Sequence, residues 1–212
     1  MSHSVRHPLF ARYYARASLS MERGLARHRT ALLAGLSGTV IEIGAGNGLN
    51  FTHYPATVIH VLAVEPEPHL RGIAERNAAR APVPITVVDG LADDLPAADA
   101  SFDAAVASLV LCTVADAGAA LAEITRILVP GGQLRFLEHV RSPRSGTARI
   151  QRLLDAAFWP RIGGGCHCAR DTAAALREAG FTIDRLTRLT SEDTAIPFPA
   201  SPQILGTATR PR

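Results

Sequence analysis

A glycine-rich turn is the part of this sequence most suited to chemistry. Residues 39–50 read TVIEIGAGNGLN, so a β-branched apolar run leads directly into Gly44, Gly46 and Gly48. Such a run predicts a strand that is buried on both faces. Glycine has no Cβ, so the backbone can turn tightly here and approach a bound molecule. Glu42, inside the end of the strand, can accept hydrogen bonds from a cationic amino-acid group, and the pattern predicts a nucleoside ligand that carries one.

Two further residues narrow the choice of ligand. The dinucleotide fingerprint GxGxxG needs a glycine at position 49 for close helix packing, and this sequence has Leu49. Glu65 ends the apolar run of residues 60–64, about 20 positions beyond Gly44. A carboxylate there can accept hydrogen bonds from both ribose hydroxyls. We therefore expect a ribose-containing ligand other than a nicotinamide dinucleotide, with an empty connecting turn as the structural alternative.

Glu138 and His139 end a later apolar run, where catalytic groups of an open α/β sheet are expected. His139 is our candidate general base, because an imidazole exchanges protons near neutral pH. A strand-end histidine that only hydrogen-bonds a neighbour is an equal alternative. Glu138 is expected to orient His139 or to contact the acceptor, unless it forms an ion pair with an arginine.

The cysteines allow a metal site to be considered. Residues 163–168 read GGGCHC, and side chains at three successive positions do not readily converge on one tetrahedral centre. We therefore expect no metal. We interpret this run as a flexible lid, with Cys166 and His167 bordering the acceptor pocket. Cys112 lies in an apolar run and is expected to be a small buried core residue.

Composition limits the class of protein. The 212 residues are 47% hydrophobic, which is enough for one core, and we expect a single domain over residues 1–212. The net charge is +3, but arginines and acidic residues are interspersed, so we expect no nucleic-acid partner. The sequence contains no lysine, which excludes P-loop, Schiff-base and lysine general-base chemistry.

Location is predicted from the same composition. Residues 1–9 are too polar for the apolar part of a secretory signal, and no run approaches the roughly 20 apolar residues of a membrane-spanning helix. The cysteines number three and have no framework spacing, so we expect no structural disulfide. These features favour a soluble protein of the cytoplasm without stable membrane insertion.

Strands and helices alternate along the chain, which predicts an α/β fold with a doubly wound parallel sheet. Helices are expected at residues 10–36, 69–80, 116–128, 150–158 and 170–179. Strands are expected at residues 40–43, 60–64, 85–89, 133–140, 181–189 and 203–209, with another opening at Phe102. A turn at residues 130–132 is expected before the strand at 133. The carboxyl ends of the strands would then carry Gly44, Glu65, Asp89, Ser108, Glu138 and His139.

The strand, acidic residue and GxGxG spacing resemble motif I of the class I S-adenosylmethionine-dependent methyltransferases. GxGxGxNFxxYP at residues 44–55, LVLCTV at 109–114, ILVPGG at 127–132 and FLEHV at 136–140 are more particular. Together they are similar to the methyltransferase-like alkyl-thiol S-methyltransferases of eukaryotes and their bacterial relatives. The resemblance extends over almost the whole chain. It implies a Rossmann-like, mostly parallel sheet with an antiparallel last strand, and a helical cap at residues 1–36 over a core at 37–140.

The resemblance also implies S-adenosyl-L-methionine as cofactor and assigns its binding residues. These are Glu42, Gly44, Ala45, Gly46, Gly48, Asn50, Glu65, Pro66, Gly90, Leu91, Ala92 and Ser108. The family often has an acidic residue at position 91 to bond the adenine amino group, so Asp93 or backbone groups would replace it here. The eukaryotic members carry an amino-terminal membrane anchor, which we do not expect in this chain. Lid helices and closing strands would occupy residues 141–212.

The sequence thus predicts a methyltransferase that acts on a small acceptor, with a thiol favoured. A quinone carbon or a lipid amine is the alternative acceptor on the same fold. A non-catalytic nucleotide-binding protein is a further alternative, since a fold alone does not imply chemistry. The oligomeric state is left open.

Overall fold

The computed structural model describes residues 8–212, so the prediction that residues 1–9 are no secretory signal falls mostly outside it. The strands are β1 (Gly38–Ile43), β2 (Val58–Val64), β3 (Ile85–Val88), β4 (Phe102–Ser108), β5 (Leu128–His139), β6 (Thr182–Leu189) and β7 (Gln203–Thr209). The helices are α1 (Pro8–Leu33), α2 (Pro68–Ala78), α3 (Ala117–Ile127), α4 (Ser145–Ala157), α5 (Trp159–Ile162), α6 (Thr172–Glu178) and α7 (Ser191–Thr194). A short 3-10 helix spans Phe51–His53. Nowhere in residues 8–212 is a helix both long and apolar enough to cross a membrane.

The seven strands form one sheet in the order β3-β2-β1-β4-β5-β7-β6. The first five pair in parallel, and β7 runs antiparallel to both β5 and β6. This confirms the predicted fold class and its antiparallel last strand. The strand order reverses between β1 and β4, and in open α/β sheets ligands bind at the carboxyl ends of the strands beside such a reversal.

Apolar side chains cover both faces of the central strands. Val40 belongs to one buried cluster with leucines of α1, and Ile41 belongs to a second cluster with residues of α3. Adjacent residues of a strand point to opposite faces, so helices on both sides of the sheet explain why β1 is apolar throughout. The glycine-rich turn is therefore built on a rigid strand.

Two elements begin five residues earlier than predicted. β5 begins at Leu128, directly after α3, and the predicted turn at residues 130–132 is an irregularity inside that strand, with Gly131 at a φ of 81°. The pairing passes from Phe102–Leu128 to Ala104–Gln133, so extra residues loop out of β5. α4 begins at Ser145 rather than at residue 150. Its first turn contains glycine and threonine, which have low helix propensity and hide the helical pattern.

Candidate active site at the carboxyl edge of the sheet

The glycine-rich turn lies at the reversal between β1 and β4. Gly44, Gly46 and Gly48 have φ values of 62°, 58° and 77°, in the left-handed region that favours glycine. A Cβ on Gly44 would lie 2.6 Å from Val110 Cγ2, and one on Gly48 would lie 2.6 Å from an aromatic ring carbon. A Cβ on Gly46 would meet only Tyr14 of α1, at 3.6 Å, among the described residues. Packing therefore requires Gly44 and Gly48, whereas Gly46 faces space that a ligand can enter.

Glu42 is buried at the end of β1, just before this turn. Its Oε1 accepts a hydrogen bond from Asn50 Nδ2 at 2.9 Å, and its Oε2 accepts one from the Tyr54 hydroxyl at 2.6 Å. Burial raises the pKa of Glu42 to about 7, although both hydrogen bonds act to lower it. These bonds explain the NFxxYP motif, whose asparagine and tyrosine hold this carboxylate. Contact between Glu42 and the cofactor stays a prediction.

Glu65 lies directly after β2, as predicted, and is buried against the glycine turn. Its Oε2 accepts the Gly46 N–H at 2.7 Å, and its Oε1 accepts the Glu67 N–H at 2.9 Å. Burial raises the pKa of Glu65. Each oxygen keeps a second lone pair that can accept a hydroxyl. Arg71 donates to the carbonyl oxygen of Pro66 at 3.1 Å, which fastens the segment behind the carboxylate.

The loop after β3 carries the three residues expected beside adenine. A Cβ on Gly90 would lie 2.8 Å from a proline carbon, so the loop packs closely here. Leu91 pairs with Asp94 in an isolated bridge, and both Leu91 and Ala92 are half-buried. Asp93, one expected replacement for the acidic adenine contact, is exposed. The backbone and apolar surface of this loop are therefore available to a flat ring.

Arg29 of α1 is a site residue that the sequence motifs did not identify. It is 5% exposed, and its Nη1 donates to Asn50 Oδ1 at 2.8 Å and to Ser108 Oγ at 3.3 Å. Its Nε donates to Glu22 Oε2 at 2.9 Å. The helical spacing of the sequence already indicates that this arginine is buried, because position 29 is four residues after Leu25 and three before Leu32, which are both buried. A buried cation thus joins the end of the glycine-rich turn to the end of β4.

Glu138 lies at the predicted edge but in another role. It has no exposed surface, and its Oε1 accepts the N–H groups of Val110 and Leu111 at 3.0 and 2.9 Å. Its Oε2 accepts the Cys112 N–H at 3.0 Å. Burial raises the pKa of Glu138, although these bonds act to lower it. The predicted contact with the acceptor is therefore corrected: this carboxylate shapes the turn after β4, because its oxygens are directed into that turn.

His139, at the end of β5, contacts two cysteines. Its Nδ1 lies 3.3 Å from Cys166 Sγ and 3.7 Å from Cys112 Sγ. Cys168 Sγ lies 3.9 Å from Cys166 Sγ. The other ring nitrogen of His139, Nε2, is buried and has no hydrogen-bond partner within residues 8–212. The short spacing of residues 166–168 does not exclude a metal here, because Cys112, His139 and Cys166 come from three separate parts of the chain. Cys112 is buried, as predicted.

Residues 163–168 are fastened to the turn after β4. The His167 N–H donates to the Cys112 carbonyl oxygen at 2.7 Å, and a Cβ on Gly165 would lie 2.8 Å from the Thr113 carbonyl oxygen. Gly164 and Gly165 have φ values of 62° and 93°. These glycines permit left-handed turns and close packing. The structure does not support the interpretation of this run as a flexible lid, because its backbone is bonded and packed against the turn.

Comparison with known proteins gives consistent results. Residues 41–136 match a family described as a methyltransferase domain. The chain is 35% identical over 181 residues to thiol S-methyltransferase TMT1B of Rattus norvegicus, covering 81% of this chain and 70% of that protein. It is 32% identical over 151 residues to demethylmenaquinone methyltransferase of Deinococcus radiodurans, covering 69% and 62%. The solved structure of geranyl diphosphate methyltransferase in complex with GPP and sinefungin is similar in fold, with a TM-score of 0.71 at 16% identity, covering 89% and 78%.

Proposed function

Because this chain belongs to the class I S-adenosylmethionine-dependent methyltransferases, we propose that it methylates the sulfur of a small thiol. The methyltransferase activity and the cofactor follow from the family, and the thiol is our inference. One observation carries it: the identity to a thiol S-methyltransferase extends over 81% of the chain. That length includes elements outside residues 41–136, which match the general methyltransferase domain. Similarity beyond the cofactor core bears on the acceptor.

The residues at the carboxyl edge fit the cofactor. Gly46 leaves open space at the turn, and Glu65 keeps lone pairs for ribose hydroxyls. We place the amino-acid part of the cofactor near Glu42 and Arg29, whose opposite charges suit its ammonium and carboxylate groups. The half-buried Leu91 would lie against adenine. When bound, S-adenosylmethionine supplies an electrophilic methyl group, whose transfer forms a carbon–sulfur bond at the thiol, breaks the methyl–sulfonium bond and releases the thiol proton.

The chain must favour the ionised form of the acceptor. A thiol with a pKa near 8.5 is only a few per cent ionised at neutral pH, and the thiolate is the nucleophile. We propose His139 as the residue that favours ionisation, because it ends β5 at the same edge as the cofactor turn. Two roles are open to it, a free base or a ligand of a cation that binds the thiol. They differ in whether turnover requires a metal.

A quinone carbon is the second candidate acceptor. The 32% identity to demethylmenaquinone methyltransferase over 69% of this chain favours it. We rank it below the thiol, because that identity is lower and covers less of the chain than the identity to TMT1B.

An acceptor screen tests the proposal. Purified protein is given S-adenosylmethionine with alkyl thiols, the alcohols of the same carbon skeleton, primary amines and demethylated quinols, and methyl products are measured by mass spectrometry. We expect methyl thioethers from the thiols and no ether from the matched alcohols. Methylation of quinols or amines without any methylation of thiols would show that the acceptor assignment is wrong.

We also propose that the protein works in the cytoplasm. All three cysteines are free and buried. Free cysteines are typical of reducing compartments, where thiol acceptors are also kept reduced. Fractionation of the producing cells, with immunodetection of the protein in each fraction, tests this location.

A further inference from the structure

Two sulfur atoms and one imidazole nitrogen meet at the carboxyl edge of the sheet. Cys112 Sγ, a ring nitrogen of His139 and Cys166 Sγ all lie within 4.8 Å of one another. Nδ1 is 3.3 Å from one sulfur and 3.7 Å from the other. Tetrahedral zinc holds sulfur at about 2.3 Å and nitrogen at about 2.0–2.1 Å, which places such ligand atoms about 3.6 Å apart. The observed separations lie on either side of that value.

Each member of this group, which we call the Cys-His-Cys cluster, is held in place by the fold. Cys112 donates its N–H to Glu138 at 3.0 Å and accepts the His167 N–H at 2.7 Å. Cys166 donates its N–H to the Gly163 carbonyl oxygen at 3.1 Å, and His139 is the last residue of β5. Little reorganisation is needed to bring the three ligand atoms around one ion. Preorganisation of this kind is what a metal site requires.

The chemistry of the thiols argues against a nucleophilic cysteine here. Cys112 is fully buried, and Cys166 is 6% exposed. A thiol buried in this way is a poor nucleophile, because burial disfavours its thiolate. A bound cation reverses this situation, because a thiol that coordinates zinc is deprotonated.

We propose that Cys112, His139 and Cys166 bind one zinc ion and leave a fourth position for the acceptor thiol. Three protein ligands with one exchangeable position are typical of catalytic zinc. The acceptor thiol displaces water from this position, binds as a thiolate and releases its proton to solvent, without any change of oxidation state. The assignment of the fourth position rests on the proposed thiol function. It also reverses the metal-free expectation from the sequence and makes His139 a metal ligand.

Cys168 provides a matched control. It is fully buried in the same segment, and its sulfur lies 3.9 Å from Cys166 Sγ. It is not part of the group whose ligand atoms all lie within 4.8 Å of one another. The open site therefore predicts that zinc binding does not need this residue, whereas a closed site of four protein ligands would need it.

Metal binding is tested on the full chain under reducing conditions. Zinc content is measured by mass spectrometry, and cobalt-loaded protein is examined for sulfur-to-metal absorption bands. We expect one metal per chain in the wild type and in Cys168→Ser. Cys112→Ser, Cys166→Ser and His139→Gln should each lower zinc affinity by more than about 100-fold, since even partners outside the ligand set cost about 10-fold to 100-fold. Circular dichroism melting identifies variants that remain folded.

The open position is tested by adding an alkyl thiol, or the matched alcohol, to cobalt-loaded protein. We expect the thiol alone to change the absorption spectrum. A folded wild type that takes up no metal, a Cys168→Ser variant that loses it, or a spectrum indifferent to thiols would overturn the inference. Undiminished thiol methylation by metal-free protein would overturn the binding of the acceptor thiol by zinc and leave the proposed function standing. Thiol binding to the metal without any thiol methylation would overturn the proposed function alone.

Discussion

Gly46 differs from the other glycines of its turn in what surrounds it. Gly44 and Gly48 are glycine because a neighbouring side chain fills the place of a Cβ. At Gly46 the nearest described atom to that place is a Tyr14 ring carbon at 3.6 Å. The space beside Gly46 lies next to the Glu65 carboxylate and is open to a cofactor. The substitution of Gly46 therefore probes binding rather than packing.

We predict that Gly46→Ala weakens S-adenosylmethionine binding by more than about 10-fold, because the new methyl group occupies ligand space. Gly35→Ala is the matched control: its φ is 75° against 58° at Gly46, and no described atom lies within 4 Å of its Cβ position. Both variants should lose roughly 1–2 kcal/mol of stability from the left-handed alanine. Calorimetry measures the affinities. Equal affinities in the two variants would contradict a ligand at Gly46.

Glu65 is predicted to bind the ribose. Glu65→Ala should weaken cofactor binding by about 10-fold to 150-fold, since a hydrogen bond to a charged group contributes about 1.5–3 kcal/mol. Glu178→Ala, an exposed carboxylate on α6, is the control and should leave binding unchanged. The measurement is the calorimetric dissociation constant. An unchanged value in a folded Glu65→Ala variant would remove this residue from the site.

At the scale of elements, the turn after β4 depends on one carboxylate from β5. Leu109 opens this turn with a φ of 62°, a left-handed conformation that costs a non-glycine residue roughly 1–2 kcal/mol. Glu138 accepts the N–H groups of the next three residues. These bonds offset the strain and place Cys112 beside His139. The geometry of the Cys-His-Cys cluster is therefore a property of two neighbouring strands.

Glu138→Gln should destabilise the protein by about 1–3 kcal/mol, because the new amide NH2 faces a backbone N–H that it cannot accept. The side chain keeps its size, so no cavity contributes. Glu178→Gln on the surface should change stability by less than about 0.5 kcal/mol. Chemical denaturation gives both values. If the two substitutions have equal effects, the bonds of Glu138 do not stabilise this turn.

For the whole molecule, the carboxyl edge concentrates buried carboxylates at a cost in stability. Glu42, Glu65 and Glu138 all have a raised pKa, with burial as the largest cause in each case. A carboxyl group whose pKa is higher in the folded state than in the unfolded state favours folding while it is protonated. That contribution is complete below the unfolded pKa and is lost as the pH rises through the folded value. The buried carboxylates of this edge therefore lower the stability of the fold near neutral pH, in exchange for groups that can bind a ligand.

The pKa of Glu42 defines the pH range over which this loss of stability can be measured. Its pKa rises from 4.5 when unfolded to about 7 when folded. Relative to Glu42→Gln, which does not titrate, the wild type should lose about 3 kcal/mol of unfolding free energy between pH 4.5 and pH 7. Denaturation of both proteins across this range measures the difference, and the other carboxylates cancel in it. A difference that is independent of pH would show that Glu42 keeps an ordinary pKa.

The sequence alone determined the alternating fold, the glycine turn and the placement of Glu65. These features depend on short-range signals, because apolar periodicity, glycine spacing and strand ends act over a few to about 20 residues. Strand ends could also be predicted to share one edge, which brings His139 and Ser108 to the side of the cofactor turn. Local patterns are sufficient where neighbours in sequence are neighbours in space.

The tertiary structure decided the contacts between distant residues. Arg29 meets Asn50, and Glu138 meets the turn after β4, only because strand order and helix packing bring them together. Glycines 164 and 165 are compatible in sequence with mobility or with left-handed turns, and in the fold both have a positive φ beside a backbone bond from His167 to Cys112. Cys112, His139 and Cys166 have no shared local pattern, since their proximity is a product of packing. A ligand set of this kind is visible only after the chain has folded.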